Sequence, residues 1–266
     1  MASTETFDIP LAAAEVYESR FVPAIFAEWA PLLVETANIR PAQAVLDVGC
    51  GTGIVARTVA DRIGSDGTIV GLDLNQAMLT VARRVQSNLE WQQGDAANLP
   101  FPERTFDSVL CQMSLMFFPD KARAMGEMAR VATTGGTVAL VVPASITDQP
   151  AYGRLVSVVA DEAGDDAASL MDTYWSCGDL DELRALFDTA GLRVDTCRTH
   201  LGTARFSTVD ELVATEVEGS PLISRIDDAT YARIRDRAQR ALQPFVTDAG
   251  VVHAPLRGHI VAGTID

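Results

Sequence analysis

The chain has 266 residues, and its 21 lysines and arginines against 36 aspartates and glutamates give a formal net charge of −15. A chain this acidic is poorly suited to nucleic acid or to an anionic membrane surface, and we expect neither partner. Hydrophobic residues make up 48% and charged residues 21%, a composition that excludes general disorder. The length predicts one domain with appended elements.

Targeting segments and cysteine spacing indicate in which compartment the protein resides. The first ten residues lack the basic and apolar regions of a secretory signal, so we expect a cytoplasmic protein. The longest apolar runs, such as Val138–Val142, fall far short of the roughly 20 residues of a membrane span. The four cysteines are widely spaced and have no histidine at zinc-ligand spacing. They predict reduced thiols and no metal site.

The first part of the chain alternates between amphipathic segments and short β-branched runs. Ala12–Ala37 has helical spacing, which Pro23 and Pro31 should interrupt, and we expect it to form a lid. From Pro41 onward, the alternation predicts an α/β core with a parallel sheet. The predicted strands are Ala44–Val48, Thr68–Leu72, Leu89–Gln93, Ser108–Cys111 and Thr137–Val142, and the helices between them are Ile54–Ile63, Gln76–Gln86 and Lys121–Val131.

The alternation stops after Val142 and resumes near Leu180. Pro143–Asp179 is predicted to be an insertion, with one helical stretch at Tyr152–Ala163. The elements predicted beyond it are a helix at Leu180–Ala190, a sixth strand at Leu192–Arg198, helices at Ser207–Glu218 and Asp228–Leu242, and a last, antiparallel strand at His259–Ile265.

The strongest motif is Val45–Gly53, in which a buried strand runs into Gly-x-Gly-x-Gly and then into a helix. Glycines at these positions allow a tight turn and let the backbone approach a ligand closely. A dinucleotide-binding loop would have its third glycine at Ile54, so the spacing disfavours that ligand.

Two acidic loops follow the next two strands. Asp73 ends the second strand about twenty residues after Gly53, where a carboxylate can accept hydrogen bonds from both ribose hydroxyls of a nucleoside. Gly94-Asp95-Ala96 follows the third strand and is suited to the exocyclic amine of adenine. Because the carboxyl ends of parallel strands meet at one edge of a sheet, we expect the three loops to converge.

These residues resemble the motifs of class I S-adenosylmethionine-dependent methyltransferases of the ubiquinone/menaquinone-biosynthesis type. Val45–Gly53 matches the VLDxGCGTG motif, and Phe106–Val109 matches FDxV on the fourth strand. The sequence departs from the family at Ala132-Thr133-Thr134, where leucine and proline are usual. The resemblance implies a Rossmann-like class I methyltransferase fold: an α/β domain with a central, mostly parallel, seven-stranded sheet, helices on both faces and a helical lid or insertion.

The resemblance also implies how this single domain is organised. Residues 1–40 form the lid, 41–142 the donor-binding core and 143–179 the insertion, and 180–266 complete the sheet and add acceptor-binding helices. The implied cofactor is S-adenosyl-L-methionine, with S-adenosyl-L-homocysteine as product. The expected cofactor-binding residues are Asp47, Gly49, Cys50, Gly51, Gly53, Asp73, Leu74, Met78, Gly94, Asp95, Ala96 and Gln112. Of these, Met78 either packs against adenine or belongs to the core.

The acceptor is expected to be a small organic molecule, because scattered aromatic residues outside the donor motifs suit a closed pocket. The pocket candidates are Tyr17, Phe21, Met113, Phe117, Tyr174 and Trp175. The sulfonium already activates the methyl group, so the protein mainly has to align the reactants and exclude water. No catalytic base is predicted, and the loop Cys111–Ser114 lacks the aspartate of Mg²⁺-dependent relatives.

The sequence leaves several alternatives open. The methylated atom could be oxygen, nitrogen, carbon or sulfur, and the protein could be a monomer or a homodimer. It could also bind S-adenosylmethionine without methyl transfer, or transfer another group from a related sulfonium. Methylation of RNA is the least favoured alternative because of the net charge.

Overall fold

Seven strands form one sheet in a computed structural model that describes residues 9–218 and 221–266. The strands are β1 (Ala44–Val48), β2 (Thr68–Asp73), β3 (Glu90–Gln93), β4 (Phe106–Gln112), β5 (Ala132–Pro143), β6 (Leu192–Phe206) and β7 (Val252–Ile265). Their order is β3-β2-β1-β4-β5-β7-β6; β7 runs antiparallel to both of its neighbours, β5 and β6, and the other neighbouring pairs are parallel. The predicted seven-stranded, mostly parallel α/β fold is confirmed.

The α-helices lie before β1 and in the connections between strands. They are α1 (Leu11–Val16), α2 (Trp29–Thr36), α3 (Ile54–Ile63), α4 (Gln76–Val85), α5 (Lys121–Val131), α6 (Pro150–Ala163), α7 (Asp165–Ala168), α8 (Leu180–Thr189), α9 (Val209–Glu218) and α10 (Asp228–Ala241). Short 3₁₀ helices at Leu115–Phe117 and Ser169–Trp175 border the site described below. Across residues 9–218 and 221–266, none of the helices has the length and apolar character needed to cross a membrane.

The strand order places the functional edge of the sheet. Strand order reverses between β1 and β4, which are adjacent although β2 and β3 separate them in sequence. In open α/β sheets, ligands bind at the carboxyl ends of the strands beside such a switch point. The loops that follow β1, β2, β3 and β4 all leave the sheet at this edge.

Three strands, β5, β6 and β7, extend five or more residues beyond their predicted bounds. β5 begins at Ala132 instead of Thr137; within the added part Gly135 has a φ of +75°, and the pairing with β4 shifts register. β6 continues past Arg198 and β7 begins before His259, because the two pair with each other from Thr199↔His259 to Phe206↔Val252. The alternation of apolar and polar residues is weak in the added part of β6 and β7. β6 lies at the edge of the sheet, and both strands carry polar residues.

The predicted N-terminal helix is three pieces. α1 passes directly into a π-helical segment, Tyr17–Phe26, which contains Pro23, and α2 begins at Trp29. A proline inside an α-helix removes one hydrogen bond and clashes with the preceding turn, so the wider π-helical winding occurs where the proline lies. Pro31 falls in the first turn of α2, where its missing N–H costs nothing.

Trp29 joins this N-terminal region to the outer sheet. Its side chain has no exposed surface, and Cβ atoms added at Gly202 on β6 and Gly258 on β7 would lie 2.9 and 2.7 Å from its ring. The two glycines therefore leave space that the indole fills. The Trp29 ring also lies edge-on to His200, with 5.4 Å between ring centroids.

We expect Trp29→Ala to lower the free energy of unfolding by about 3–5 kcal/mol, the usual cost of truncating a buried aromatic side chain. Urea denaturation followed by circular dichroism would measure it. Leu201→Ala is the control, because this side chain is 54% exposed next to the same contact and should change stability by about 0.5 kcal/mol or less. Equal losses in the two variants would contradict the proposed packing role of Trp29.

Candidate active site

A glycine loop joins the carboxyl end of β1 to α3. Gly49, Gly51 and Gly53 have φ values of +66°, +54° and +92°, a region that residues with a Cβ rarely adopt. The Gly53 N–H donates to the Cys50 carbonyl at 2.8 Å, and α3 begins at the next residue. The loop is the tight strand-to-helix turn that the motif predicts.

The three glycines have different surroundings. A Cβ at Gly53 would lie 2.2 Å from the Trp91 ring, and one at Gly49 would lie 2.6 Å from Ser114. The atoms nearest to a Cβ at Gly51 would be those of the Tyr17 ring, at 3.5 Å, an ordinary van der Waals distance. Packing within the core therefore requires the first and third glycines, whereas one side chain from the N-terminal segment covers the middle one.

Asp73 connects the glycine loop to the end of β2. One carboxylate oxygen accepts the Gly51 N–H at 2.7 Å, and the other accepts the Asn75 N–H at 2.8 Å. The Asn75 side chain in turn caps α4 by accepting the N–H of Ala77 at 2.8 Å. Burial raises the pKa of Asp73, and the hydrogen bonds from the Asn75 and Gly51 backbones act in the opposite direction.

Asp47 lies under the same loop, at 1% exposure. Its carboxylate accepts the Ala56 N–H in the first turn of α3 at 3.1 Å. Burial raises its pKa from 3.8 to about 7, partly offset by the Ala56 hydrogen bond. This hydrogen bond fixes the start of α3 and thereby the end of the glycine loop that precedes it.

The third loop, which follows β3, is held at both ends. The Gly94 N–H donates to the Asp73 carbonyl at 3.1 Å, and the exposed Asp95 side chain accepts the Ala97 N–H at 2.8 Å. Further along, the Arg130 guanidinium donates to the carbonyls of Leu99 and Phe101. The loops after β1, β2 and β3 thus meet at one edge, as predicted.

Two other predicted donor residues have contrasting positions. Leu74, directly after Asp73, has 57% of its surface exposed, which leaves it available to a ligand. Met78 is 6% exposed and packs with Ala14 and Val81. Met78 therefore contacts α1. This is the core position, one of the two alternatives that the sequence left open for this residue.

An aromatic cluster from the N-terminal segment covers the glycine loop. The Tyr17 ring stacks on Phe21 and Phe26, with centroids 5.7 and 5.2 Å apart, and lies next to Gly51. Burial, and then the negative charge of Asp73, raise the pKa of the Tyr17 phenol. The sequence grouped Tyr17 and Phe21 with the acceptor pocket, and the structure places Tyr17 against the glycine loop.

The loop after β4 links the glycine loop to a second aromatic group. Gln112 donates its side-chain N–H to the Phe26 carbonyl at 3.1 Å, and Met113, buried at 7% exposure, has a φ of +49°. The Ser114 hydroxyl donates to the Gly49 carbonyl at 2.7 Å. Phe117 then meets Tyr174 edge-on, with ring centroids 5.5 Å apart.

The predicted pocket residues therefore form two groups. Tyr17 lies on the glycine loop, whereas Phe117, Tyr174 and Trp175 lie beyond the β4 loop, where Trp175 packs against Tyr152 at 5.2 Å between centroids. Sequence motifs did not identify Tyr152, which is 2% exposed on α6. The available signal was helical spacing, since Tyr152 is three residues before the buried Leu155 on the apolar face of its helix.

His259 is a structural residue in this arrangement. One ring nitrogen is 2.9 Å from the Thr199 hydroxyl and the other is 3.1 Å from the Gly178 carbonyl. Because the carbonyl can only accept, that nitrogen carries the proton and the other accepts from Thr199. Both nitrogens are occupied, which leaves the ring without a free base.

Comparisons with known proteins agree with this geometry. Residues 46–140 match a family described as a methyltransferase domain. The demethylmenaquinone methyltransferase of Bacillus licheniformis is 30% identical over 183 residues, which cover 62% of this chain and 77% of that protein. The Escherichia coli ubiquinone/menaquinone biosynthesis C-methyltransferase UbiE is 30% identical over 180 residues, which cover 61% and 71%.

Other similarities extend less far or concern the fold alone. A 2-phytyl-1,4-naphtoquinone methyltransferase of Synechococcus elongatus is 35% identical, over 42% of this chain and 51% of that protein, so the chain spans about half of that relative's length. Among solved structures, the YcgJ protein of Bacillus subtilis has a TM-score of 0.61 at 21% identity, covering 90% of this chain and 98% of that one. A SAM-dependent methyltransferase from Aquifex aeolicus has a TM-score of 0.54 at 15% identity, covering 71% and 92%.

We expect the stability of the protein to fall as pH rises from about 4 to about 7, in part because of Asp47. A carboxyl whose pKa is higher in the folded than in the unfolded state binds more protons when folded, so the free energy of unfolding decreases with pH between the two values. Asp47→Asn should make this decline shallower and raise stability at pH 8 by up to about 4 kcal/mol, at about 1.4 kcal/mol per pKa unit.

Urea denaturation at several pH values would measure both slopes. Asp66→Asn, at an exposed position before β2, should keep the wild-type slope. An Asp47→Asn variant with the slope of the wild type would contradict the assignment of the raised pKa to this carboxyl.

Proposed function

This chain belongs to the class I S-adenosylmethionine-dependent methyltransferases of the ubiquinone and menaquinone type, and we propose that it methylates a small organic acceptor. The observation that carries the proposal is the hydrogen bond between the Gly51 N–H and the Asp73 carboxylate. It joins the two loops that a nucleoside would contact, at the switch point of the sheet. Bound S-adenosylmethionine would supply a methyl group on a positively charged sulfur.

The residues at this edge fit such a donor. The atoms nearest to a Cβ at Gly51 belong to the Tyr17 ring and lie 3.5 Å away, so a ligand would approach the loop backbone beside this ring. The buried hydroxyl of Thr52 and the buried carbonyl oxygen of the Gln112 side chain have no hydrogen-bond partner among the described residues. Buried polar atoms in proteins are normally paired, so unpaired ones beside the loop are expected where a ligand completes the site.

We assign the donor contacts by loop. The first loop would hold the methionine end, through Gly49, Cys50, Gly51 and Gly53, with Asp47 supporting it. Asp73 would accept hydrogen bonds from the ribose hydroxyls. The adenine contacts would come from Leu74, Gly94, Asp95 and Ala96, with Met78 beneath them and Gln112 on the acceptor side.

The protein's contribution to the reaction is positioning and exclusion of water. Tyr17, stacked on Phe21 and Phe26, would cover the reacting centre from the N-terminal side. An ion pair between Glu18 and Arg57, 3.0 Å long, would hold that cover on α3. Aligning the two reactants and excluding water would raise the rate of methyl transfer without any side chain reacting with the donor.

The acceptor is proposed to be a quinone-type ring, methylated at carbon, as the names of the relatives indicate for those proteins. The net charge of −15 disfavours nucleic acid as the acceptor. All four cysteines are free thiols, which supports a reducing compartment and hence a cytoplasmic location.

Titration calorimetry tests donor binding. S-adenosylhomocysteine should bind the wild type with micromolar affinity, and NADH should not bind. Asp73→Asn should weaken S-adenosylhomocysteine by about 1–3 kcal/mol, because charged hydrogen bonds to the ribose are lost. Asp107→Asn is the matched control, since its carboxylate accepts the Ala44 N–H at the opposite edge of the sheet and should not alter binding.

Two outcomes would contradict the proposal. Binding of NADH in place of S-adenosylhomocysteine would assign the glycine loop to a dinucleotide. Donor binding without transfer of a labelled methyl group to any acceptor in a cell extract would make the protein a binding protein.

A further inference from the structure

Unpaired polar groups lie where the N-terminal segment, residues 9–26, meets the middle of the glycine loop. One carboxylate oxygen of Glu18 and the hydroxyl of Thr52 are buried and have no hydrogen-bond partner among the described residues. The Tyr17 hydroxyl also forms no hydrogen bond within residues 9–218 and 221–266, and it lies 3.5 Å from the position of a Cβ at Gly51. Because buried polar atoms are normally paired, this group indicates a site that a ligand completes.

One guanidinium group connects Glu18 to the glycine loop. Arg57, in the first turn of α3, donates to the Thr52 carbonyl at 2.6 Å through one terminal nitrogen and to Glu18 at 3.0 Å through the other. The two oxygens that it contacts therefore lie on either side of a single planar group. The ion pair uses one carboxylate oxygen of Glu18, which leaves the second, buried oxygen beside the loop.

Stacking holds the Tyr17 ring over the loop. Its centroid lies 5.7 and 5.2 Å from those of Phe21 and Phe26, and both its edge and its hydroxyl face Gly51 at 3.5 Å from the Cβ position. Burial raises the pKa of the phenol, so the hydroxyl keeps its proton and can donate.

The loop itself cannot offer its middle N–H to a ligand. The Gly51 N–H already donates to the Asp73 carboxylate at 2.7 Å. A negatively charged group that approaches Gly51 must therefore find another donor, and the Tyr17 hydroxyl lies at that position.

We propose that the N-terminal segment binds the amino-acid end of S-adenosylmethionine. The free oxygen of Glu18 would accept a hydrogen bond from the ammonium group, and the Tyr17 hydroxyl would donate one to the carboxylate. Thr52 would complete the site from the loop. This inference rests on the proposed function, and it assigns to the donor a tyrosine that the sequence grouped with the acceptor pocket.

The chemistry of the unpaired atoms matches a zwitterion. A carboxylate oxygen can only accept, so Glu18 requires a ligand that donates, and an ammonium group carries three N–H donors. A protonated phenol donates to a carboxylate, and the Thr52 hydroxyl can donate or accept. The ten-residue helix α3 begins two residues after Thr52, and its N-terminus favours the negative charge of that carboxylate.

A second ion pair of the same segment provides a control. Glu15 on α1 pairs with Arg84 on α4 at 2.6 Å, and the two side chains are 53% and 56% exposed. This pair joins the segment to α4 and involves no residue of the glycine loop. It separates attachment of the segment from contact with the donor.

Calorimetry with S-adenosylhomocysteine tests both residues. Glu18→Gln keeps the shape of the side chain, and Tyr17→Phe keeps the stacked ring. Each variant should bind about tenfold more weakly than the wild type, because each loses a hydrogen bond to a charged group. Glu15→Gln and Tyr231→Phe are the matched controls and should bind as the wild type does, since the Tyr231 hydroxyl donates to Glu218 instead.

Two truncated analogues identify the group that each residue contacts. S-adenosyl-4-thiobutyrate lacks the ammonium group, and S-adenosyl-3-thiopropylamine lacks the carboxylate. Displacement of radiolabelled S-adenosylhomocysteine would measure the affinity of each protein for both. Glu18→Gln should bind the butyrate as the wild type does and the propylamine about tenfold more weakly, and Tyr17→Phe should show the opposite pattern.

A purely structural role of the two residues gives a different pattern. If Glu18 and Tyr17 only held the N-terminal segment in place, each substitution would weaken both analogues by the same factor. Each variant should also keep the circular dichroism spectrum of the wild type, because neither change removes a buried apolar contact.

The inference would be overturned if either variant bound S-adenosylhomocysteine as the wild type does, weakened both analogues equally or failed to fold. A loss in Glu15→Gln as large as that in Glu18→Gln would also overturn it. Failure of the wild type to bind S-adenosylhomocysteine would instead reject the proposed function itself.

Discussion

The hydrogen bond between the Gly51 N–H and the Asp73 carboxylate is the contact on which the arrangement of the loops at the switch point depends. It connects loops from two neighbouring parallel strands, and the second oxygen of the same carboxylate binds the Asn75 N–H at the start of α4. An ionised carboxylate has about four lone-pair sites, of which these bonds use two. Asp73 can therefore organise the loops and still accept hydrogen bonds from a ligand.

Much of this edge could be predicted because local sequence determines it. Ala44–Val48 and Ile54–Ile63 have the predicted bounds, since a buried strand followed by closely spaced glycines allows few other conformations. The N-terminal region could not be predicted to the same degree. Pro23 indicates an interruption, but the π-helical winding of Tyr17–Phe26 and the contact of Tyr17 with Gly51 depend on tertiary packing.

The aromatic group beyond the β4 loop was less predictable for a related reason. Phe117, Tyr174 and Trp175 were identified as aromatic residues near irregular segments, but their partners come from other parts of the chain. Phe117 follows β4, whereas Tyr152 and Tyr174 lie between β5 and β6. No spacing rule relates these positions, because they meet only when the sheet and the insertion pack together.

Asp47 and Glu216 are two buried acids whose surroundings differ. Burial raises the pKa of both to about 7. Asp47 receives the Ala56 N–H at the positive end of α3, so the fold itself compensates part of the cost of burying it. Glu216 lies in the last turn of α9, where the helix dipole is unfavourable to a carboxylate, and the described residues provide it with no hydrogen bond. The fold therefore compensates part of the cost of burying Asp47, whereas the described residues do not compensate that of Glu216.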